Sequence, residues 1–425
     1  MNSIFDKYKQ DLNNILTRNV DVKEEFKKVS FRSKANSVLL ESDISKGMTN
    51  EFTEQKIQME FDNQLVRSLF GENRDTFASI SIGAHPDFLN LNFGEYEYHH
   101  CVSVFVDIKG STKLISKYSL LEVRLIKDTL LNLVIQVANE FGGHIHRLQG
   151  DAAFIQFVRR GKNANDAAIN ALNAMSLLSH FVSVDLAEIM KENNQIPLKI
   201  RVGIDYGDDS DVLWSHYGIP NCNELTTTSL HTDMAAKLQQ KAYDNAIVIG
   251  DNVKTLLDLR DDFIEFYIDE DSRQYVYTIS KTLSYKFFVF NWSNYLHSFP
   301  FFKRGSNGKI EYEKKIFSLN CYVGNDLKLY YPNSYSINKR TALKFELLHN
   351  GEVYKIKPTD KVEWIVHNFG IEAKVETKTI FSMDIFANQN YCLQEASFLG
   401  NHFMRCKLTR QHLPPINLDF PIYVK

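Results

Sequence analysis

The sequence predicts an α+β protein, because strand-like and helical segments alternate through its middle and short strands alone fill its last third. Between about residues 96 and 255, strand patterns at 101–106 and 198–204 are separated by helical patterns over 119–141 and 165–190. After about residue 306, short alternating runs are divided by Asn-Gly and Pro turns, which is typical of an all-β sandwich. A mixed sheet covered by helices, followed by a sandwich, is therefore expected.

The remaining segments are predicted from the same patterns. Residues 1–95 form an N-terminal helical and lead-in segment, in which apolar residues repeat at helical spacing: Ile4, Tyr8, Leu12 and Ile15. Such a helix is either an ordinary surface helix or one that faces a second subunit. Residues 256–305 are predicted as a bridge between the mixed-sheet domain and the sandwich, with strands at 276–279 and 286–292 and a turn-rich break at 304–308.

Composition narrows the class of protein. The 425 residues are 44% hydrophobic and carry a net charge of −3, which favours a globular chain and argues against a general nucleic-acid binder. No run of 18 or more apolar residues occurs and the N-terminus is polar, so a cytoplasmic protein without membrane association is expected. The five cysteines are scattered and odd in number, which predicts reduced thiols.

Two aspartates carry the most information about function. Asp107 ends a strand-like run and is followed by the turn Gly110-Ser111-Thr112, while Asp151 lies in a Gly-Asp turn between two strand patterns. Either aspartate alone is as readily a turn former or a helix cap. Carboxylates bind Mg²⁺ or Mn²⁺, and free backbone N–H groups at a helix start bind phosphate. Together they predict a nucleoside triphosphate site.

Four stretches around these aspartates resemble the catalytic domain of class III nucleotide cyclases in order and spacing. They are VFVDIKGST (104–112), GGHIHRLQGDAAFIQF (142–157), KIRVGIDYG (199–207) and HTDMAAKLQ (231–239). The form HTD-x-AAK resembles more narrowly the bacterial Pycsar pyrimidine cyclases, which make cyclic UMP or cyclic CMP as an antiphage signal. WIVHNFGIEA (364–373) and LGNHFMRCKL (399–408) resemble the AGS-C sensor module that is appended to such enzymes.

The resemblance implies a ferredoxin-like cyclase fold that works as a homodimer, with two divalent metal ions, Mn²⁺ or Mg²⁺. Asp107, Asp151 and the backbone carbonyl of Ile108 are the implied metal ligands. Gly110, Ser111 and Thr112 are expected to contact the triphosphate. The metal aspartates and the groups that contact the ribose and phosphate would come from different subunits.

Further site residues follow from the family motifs. Arg147 and Thr226 fall at the two base-reading positions, although Arg147 could instead point to solvent or pair with a nearby acid. Asp233 and Lys237 stand where other class III cyclases have an asparagine and an arginine. Their i, i+4 spacing puts them on one helix face, where they could enter the site or form a surface ion pair.

The expected function is a pyrimidine cyclase that makes a 3′,5′-cyclic nucleotide and pyrophosphate, with UTP favoured over CTP, and that signals to a separate effector protein. The alternatives are an adenylate cyclase and a degenerate cyclase domain that binds nucleotide without turnover.

His99-His100 forms a close histidine pair, and without a third ligand nearby a packed or solvated pair is favoured over a metal site. Trp364 is expected in the core of the sandwich.

Overall fold

The computed structural model of the chain describes residues 9–10, 63–72, 75–268, 273–280, 284–304 and 310–425. The predicted N-terminal helical repeat of Ile4, Tyr8, Leu12 and Ile15 lies outside these residues, as does most of the predicted break at 304–308. The first helix with defined bounds therefore begins at Asn63.

The first and larger part of the described chain is a mixed-sheet domain. Its helices and strands are α1 (Asn63–Phe70), β1 (Tyr96–Tyr98), β2 (Cys101–Ile108), α2 (Thr112–Ile115), α3 (Leu120–Glu140), β3 (Gly143–Gln149), β4 (Ala152–Phe157), α4 (Ala164–His180), α5 (Ala187–Glu192), β5 (Ile200–Gly207), β6 (Leu213–Ile219), β7 (Cys222–Thr228), α6 (Leu230–Lys241), β8 (Ala246–Gly250), α7 (Asp251–Leu257), β9 (Ile264–Phe266), β10 (Val276–Thr278), β11 (Ser284–Phe290), α8 (Trp292–His297) and β12 (Phe302–Arg304). Strands and helices alternate as the sequence predicts, and the mixed α+β class is confirmed.

One central sheet organises this domain. Its strand order is β10-β11-β8-β5-β2-β4-β3, with β9 paired to β11. The pair β5 and β8 is parallel, and the other pairs are antiparallel. Strand β11, which lies within the segment predicted as a bridge, is thus part of this sheet. A separate sheet of β1, β6 and β7, called the arm below, extends from the central one.

Helices cover both faces of the central sheet. On one face, apolar residues of β2 and β5 pack with α3 and α4 in a single large core. Helix α3 begins at Ser119, whose hydroxyl and the side chain of Glu122 form a capping box. Helix α4 continues through a π-helical stretch, Phe181–Leu186, into α5. The stretch Ala164–Glu192 is long and apolar enough to span a membrane by length and composition, but 89% of its apolar window is buried inside the protein.

Helix α6 lies on the other face, against β5 and β2, and a glycine makes this close packing possible. A Cβ on Gly203 of β5 would lie 2.2 Å from the carbonyl oxygen of Ala235 and 2.3 Å from the backbone nitrogen of Gln239. Because both neighbours are helix backbone, no side-chain movement could relieve such a contact. Gly203 therefore lets α6 approach the sheet next to Asp107.

The second part of the described chain is a β-sandwich. Its elements are β13 (Ile310–Tyr312), which pairs with β12, then β14 (Phe317–Val323), β15 (Lys328–Tyr330), β16 (Ser336–Ile337), β17 (Ala342–His349), β18 (Glu352–Val353), β19 (Lys361–His367), α9 (Gly370–Val375), β20 (Ile380–Ser382), β21 (Tyr391–Glu395), β22 (Gly400–Thr409) and β23 (Ile416–Val424). One sheet joins β15, β14, β17, β18 and β21, and the other joins β16, β23, β22, β19 and β20. The predicted all-β character holds for these sheets, with α9 as a short helical addition.

The core of the sandwich is apolar and contains Trp364. This side chain is 1% exposed, and its indole N–H donates to the carbonyl of Gln389 at 3.0 Å. Trp364 is thus a core residue, as the sequence predicts. The five cysteines are free thiols, four of them buried, and Cys222 is exposed.

Polar contacts and an aromatic cluster join the sandwich to the mixed-sheet domain. Asp166 of α4 accepts hydrogen bonds from the backbone N–H and the hydroxyl of Ser336 at 2.7 and 2.6 Å. The guanidinium of Arg260 lies 4.2 Å from the ring centroid of Phe369 and 4.4 Å from that of Phe263. Because these contacts involve buried or half-buried groups on both sides, the sandwich and the mixed-sheet domain pack against each other.

A buried histidine at this junction gives the first testable prediction. Burial lowers the pKa of His402 to about 4. Its Nε2 donates to the carbonyl of Phe398 at 2.7 Å, while Nδ1 accepts from the N–H of Phe369 at 3.1 Å, so the neutral ring satisfies both partners. The unfolded chain binds this proton near pH 6.5. Stability should therefore fall as pH drops from 6.5 towards 4, by up to about 1.4 kcal/mol per pH unit from this group.

We expect His402→Gln, whose amide can also donate and accept, to show a flatter dependence of the free energy of unfolding on pH than the wild-type chain. Urea unfolding at a series of pH values between 4 and 7 measures this. His412→Asn is the matched control, since His412 is exposed and should leave the wild-type dependence unchanged. Identical curves for His402→Gln and the wild-type chain would contradict the prediction.

Candidate active site

The two predicted metal ligands lie together at one edge of the central sheet. Asp107 is the next-to-last residue of β2, and Asp151 follows Gly150 in the turn between β3 and β4. Strands β2 and β4 pair with Val106 opposite Ala153, and continuing this register places Asp151 opposite Ile108. The neighbouring strands therefore bring Asp107, Ile108 and Asp151 to the same place.

The electrostatics around this pair fit a divalent cation. Burial raises the pKa of Asp107, Arg201 lowers it, and the nearby charge of Asp151 raises it again. Asp151 Oδ1 accepts from Lys127 Nζ at 3.0 Å, whereas the buried Oδ2 of Asp151 accepts no hydrogen bond within the described part of the chain. Two adjacent carboxylates with an unsatisfied buried oxygen favour an added positive charge, and carboxylate oxygens suit Mg²⁺ or Mn²⁺.

These carboxylates contact three residues that the sequence patterns did not indicate. Arg201 of β5 pairs with Asp107 across the antiparallel register and forms an ion pair with Oδ2. Gln239 of α6 donates to the same oxygen at 3.1 Å, and Lys127 of α3 contacts Asp151 as described above. Arg201 lies inside the motif KIRVGIDYG, but only the strand register shows that it meets Asp107.

The predicted phosphate-contacting residues follow β2 directly. Gly110 has φ of +73°, a left-handed conformation that favours glycine and turns the chain after Asp107. Ser111 precedes the short helix α2, and its side chain makes no capping hydrogen bond. Gly110 and Thr112 are exposed and Ser111 is half-buried, so the turn is open to a ligand. Their role in binding phosphate stays a prediction.

Arg147 is engaged by an acid, which is the alternative that the sequence left open. Its guanidinium binds both carboxylate oxygens of Glu224 on β7, with Nε to Oε1 at 3.0 Å, and the side chain is 50% exposed. Nε2 of His146 lies 3.1 Å from Oε1 of the same Glu224. Residues two apart on a strand share a face, so Glu224 lies beside Thr226 on β7. The structure thus brings Arg147 to the strand that carries Thr226, with Glu224 between them.

Asp233 and Lys237 lie on α6 and form no ion pair with each other in the part of the chain that the structure describes. Asp233 is exposed, and Nζ of Lys237 lies 5.1 Å from the ring centroid of Tyr277. At about 100° per residue, Lys237 is turned roughly 200° around the helix from Gln239, which reaches Asp107. Within one chain, Asp233 and Lys237 therefore face away from the two carboxylates.

A buried polar network fixes the start of α6. Asp205 is fully buried, and its carboxylate meets Nδ1 of His231 at 3.0 Å and accepts from the hydroxyl of Tyr285 at 2.7 Å. Burial opposes protonation of His231, but the hydrogen bond and the negative charge of Asp205 outweigh it and raise the pKa of His231. The side chain of Asn252 closes the network 3.2 Å from His231 Nε2. This network anchors the helix that carries Asp233 and Lys237.

The chain is similar in sequence to cyclases of three bacteria. A cytidylate cyclase of Staphylococcus aureus is 38% identical over 356 residues, which are 81% of this chain and 83% of that protein. A cytidylate cyclase of Escherichia coli is 32% identical over 308 residues, 69% of this chain and 65% of that protein. A uridylate cyclase of Gulbenkiania mobilis is 26% identical over 154 residues, 35% of this chain and 58% of that protein.

Residues 290–413 match the family described as the adenylyl/guanylyl and SMODS C-terminal sensor domain, AGS-C. The matched range begins in β11 and ends just after β22, so it covers most of the sandwich. The named cyclase relatives and the matched C-terminal range show a nucleotide cyclase with an appended AGS-C module. The chain belongs to the Pycsar family of class III nucleotide cyclases, whose named members here are cytidylate and uridylate cyclases.

The buried network around Asp205 gives a prediction on stability. Tyr285→Phe removes one donor to a buried carboxylate, and we expect the free energy of unfolding to fall by about 2 kcal/mol. Tyr275→Phe is the matched control, because Tyr275 is a half-buried neighbour that contacts Phe287, as Tyr285 does. Urea unfolding measures both variants, and equal losses would show that the hydrogen bond to Asp205 is not what stabilises this region.

Proposed function

We propose that the protein is a divalent-metal-dependent cytidylate cyclase that converts CTP to 3′,5′-cyclic CMP and pyrophosphate. The observation that carries the proposal is the pair Asp107 and Asp151, which lies side by side at the sheet edge with an unsatisfied buried oxygen. Membership of the Pycsar family supports the reaction class. A binding module without turnover would have less use for two adjacent half-buried carboxylates.

This proposal prefers CTP as the substrate, whereas the resemblance to the family favoured UTP. The two relatives that align over most of the chain are named cytidylate cyclases, and the uridylate cyclase aligns over about a third of it. Residue chemistry points the same way, because cytosine offers Arg147 adjacent acceptors at O2 and N3. In uracil the acceptors O2 and O4 are separated by an N–H donor.

In the proposed reaction, the ribose 3′-oxygen loses its proton and forms a bond to the α-phosphorus. The bond from that phosphorus to the bridging oxygen breaks, and pyrophosphate leaves. Divalent ions, when bound, lower the pKa of the attacking hydroxyl and neutralise charge on the triphosphate. Asp107 and Asp151 would hold the ions, with the carbonyl of Ile108 as a further ligand.

Arg201 and Lys127, which pair with the two carboxylates, would also contact phosphate in this proposal. If Asp107 and Asp151 held divalent ions, the guanidinium of Arg201 and the ammonium of Lys127 would lose these ion pairs next to the place where the triphosphate would lie. Phosphoryl transfer depends chiefly on such positioned positive charge. We therefore include Arg201 and Lys127 among the phosphate-contacting groups, beside the turn of Gly110, Ser111 and Thr112.

A homodimer completes the site in this proposal. Asp233 and Lys237 face away from the carboxylates of their own chain, so they would serve the site of a second subunit, Lys237 as a phosphate cation and Asp233 as an acceptor for ribose hydroxyls. We further propose a cytoplasmic antiphage signalling role, with a separate effector protein that binds the cyclic nucleotide. An adenylate cyclase is the second candidate, and formation of cyclic AMP from labelled ATP by the purified chain with Mn²⁺ would support it.

The metal assignment predicts that Asp107→Asn and Asp151→Asn each abolish cyclic CMP formation, by more than about a thousandfold, because each removes a ligand charge. Formation of labelled product from CTP with Mn²⁺ measures this, and circular dichroism checks the fold. Asp244→Asn is the control, since Asp244 is an exposed carboxylate already paired with Lys109 and Lys199. Substantial turnover in either Asp107→Asn or Asp151→Asn would overturn the two-metal assignment.

The shared site predicts that activity returns when two inactive variants are mixed. Asp107→Ala and Lys237→Ala subunits should each be inactive alone. After random subunit exchange, half of the dimers are mixed and each holds one intact site, so about a quarter of the wild-type activity is expected. No recovery, despite exchange shown by differently labelled subunits, would contradict either the shared geometry or the role of Lys237.

The base-reading hypothesis predicts that Arg147→Ala lowers CTP turnover and reduces the discrimination between CTP and UTP at least about tenfold, because the base loses a hydrogen-bonding partner. Glu224→Gln keeps the arginine but removes its ion pair, and should lose part of the discrimination. Arg160→Ala, which removes a comparable pair with Glu97, serves as control. An unchanged ratio of kcat/KM values in Arg147→Ala would show that Arg147 does not read the base.

A further inference from the structure

The fold supplies the third ligand that the His99-His100 pair lacked in the sequence. The two histidines connect β1 to β2, and Asp209 lies in the turn between β5 and β6. One ring nitrogen of each histidine and one carboxylate oxygen of Asp209 all lie within 4.8 Å of one another. Two imidazoles and a carboxylate from separate segments therefore converge on one point. His100 and Asp209 are 109 residues apart in the sequence.

The backbone around these side chains is held in place by hydrogen bonds. Trp214 is fully buried and donates its indole N–H to the carbonyl of His99 at 3.0 Å. The backbone N–H of His100 donates to Asp209 Oδ1 at 2.8 Å, and Nδ1 of the same residue lies 3.0 Å from that oxygen. Nδ1 of His99 lies 3.1 Å from the carbonyl of His100. A histidine whose Nδ1–H is held by a carbonyl presents Nε2 as a free donor of electrons to a metal.

The protein alone does not satisfy this cluster. His100 is 5% exposed, and its Nε2 is buried and has no hydrogen-bond partner among the residues that the structure describes. The turn also carries Asp208 and Asp211, so three carboxylates lie within four residues. Asp208 is committed to Ser210, whose N–H and hydroxyl both donate to its Oδ1 at 2.7 Å. His100 therefore carries an unused buried nitrogen beside a turn with excess negative charge, and both favour a bound cation.

We propose that His99, His100 and Asp209 form a binding site for a divalent transition-metal ion, Zn²⁺ foremost, that is separate from the carboxylate pair of the active site. Imidazole ligands suit Zn²⁺ and its neighbours, whereas the carboxylate pair suits Mg²⁺ and Mn²⁺. Three protein ligands leave a fourth position for water. Because donor types differ between the two sites, a nitrogen-preferring ion distinguishes them.

The ion would link the β1–β2 connection to the β5–β6 turn at the base of the arm. The arm carries Glu224 and Thr226 on β7, and β6 follows directly after the Asp209 turn. A metal bond between these segments would limit movement of the arm relative to the central sheet. This site does not depend on the proposed reaction.

Cobalt substitution tests the proposal, because Co²⁺ in a nitrogen-containing tetrahedral site absorbs visible light far more strongly than octahedral Co²⁺ in water or on carboxylates. We expect the full chain, first freed of metal with a chelator, to gain this absorption on titration with Co²⁺ and to lose it when Zn²⁺ is added. Binding of Co²⁺ to the exposed thiol of Cys222 would add a thiolate-to-metal charge-transfer band, so the absence of that band is expected for the site proposed here. Wild-type protein that gains no such absorption overturns the proposal.

Matched variants locate the ion. Asp209→Asn and Asp211→Asn each remove one negative charge from the same turn, but only the first removes a ligand, so Asp209→Asn alone should lose the absorption. The side chain of Asp209 is 76% exposed, and the fold should tolerate this change. Asp151→Asn should keep the absorption, because it alters only the other site. Absorption that survives Asp209→Asn, or that disappears in Asp151→Asn, refutes the assignment. Zn²⁺ should also raise the melting temperature of the wild-type chain and not that of Asp209→Asn.

Discussion

Strand β2 lies between β4 and β5, and this double antiparallel pairing is the constraint on which the site depends. Its pairing with β4 places Asp151 beside Asp107 and Ile108, and its pairing with β5 places Arg201 against Asp107. A shift of one residue in either register would turn the affected side chain to the other face of the sheet. The alternate residues of β2 are buried in the apolar core, which fixes the register. Core packing on one face of the strand thus positions Asp107 and Arg201 on the other.

The second constraint is electrostatic. Two carboxylates at a partly buried sheet edge repel each other, and the chain offsets this with Arg201, Lys127 and Gln239. The compensation is incomplete, since one oxygen of Asp151 stays unsatisfied and the pKa of Asp107 is raised. Such residual negative charge favours a bound divalent cation. The close approach of α6, which Gly203 permits, brings Gln239 into this arrangement, while Lys237 lies near the ring of Tyr277.

The sequence predicted what depends on local pattern. The bounds of α3, with its Ser119 cap, and the position of Asp107 at the end of β2 follow from periodicity and turn residues, and the buried Trp364 follows from strand alternation. Contacts between strands distant in sequence were not predictable in this way. Arg201 meets Asp107 through a register that no local pattern encodes, and Glu224 meets Arg147 across 77 residues. Asp209 joins His99 and His100 for the same reason, so the histidine pair looked isolated in the sequence.

The central claim is that Asp107 and Asp151 together hold divalent ions beside the triphosphate. Electron paramagnetic resonance of Mn²⁺ titrated into the full chain tests it most directly, with 3′-deoxy-CTP present because this analogue lacks the attacking hydroxyl. If both carboxylates hold the ions, two Mn²⁺ ions per subunit with magnetic coupling between them are expected, and Asp151→Asn should lose the coupled signal. Uncoupled Mn²⁺ in the wild-type chain, or a coupled pair that persists in Asp151→Asn, would contradict it.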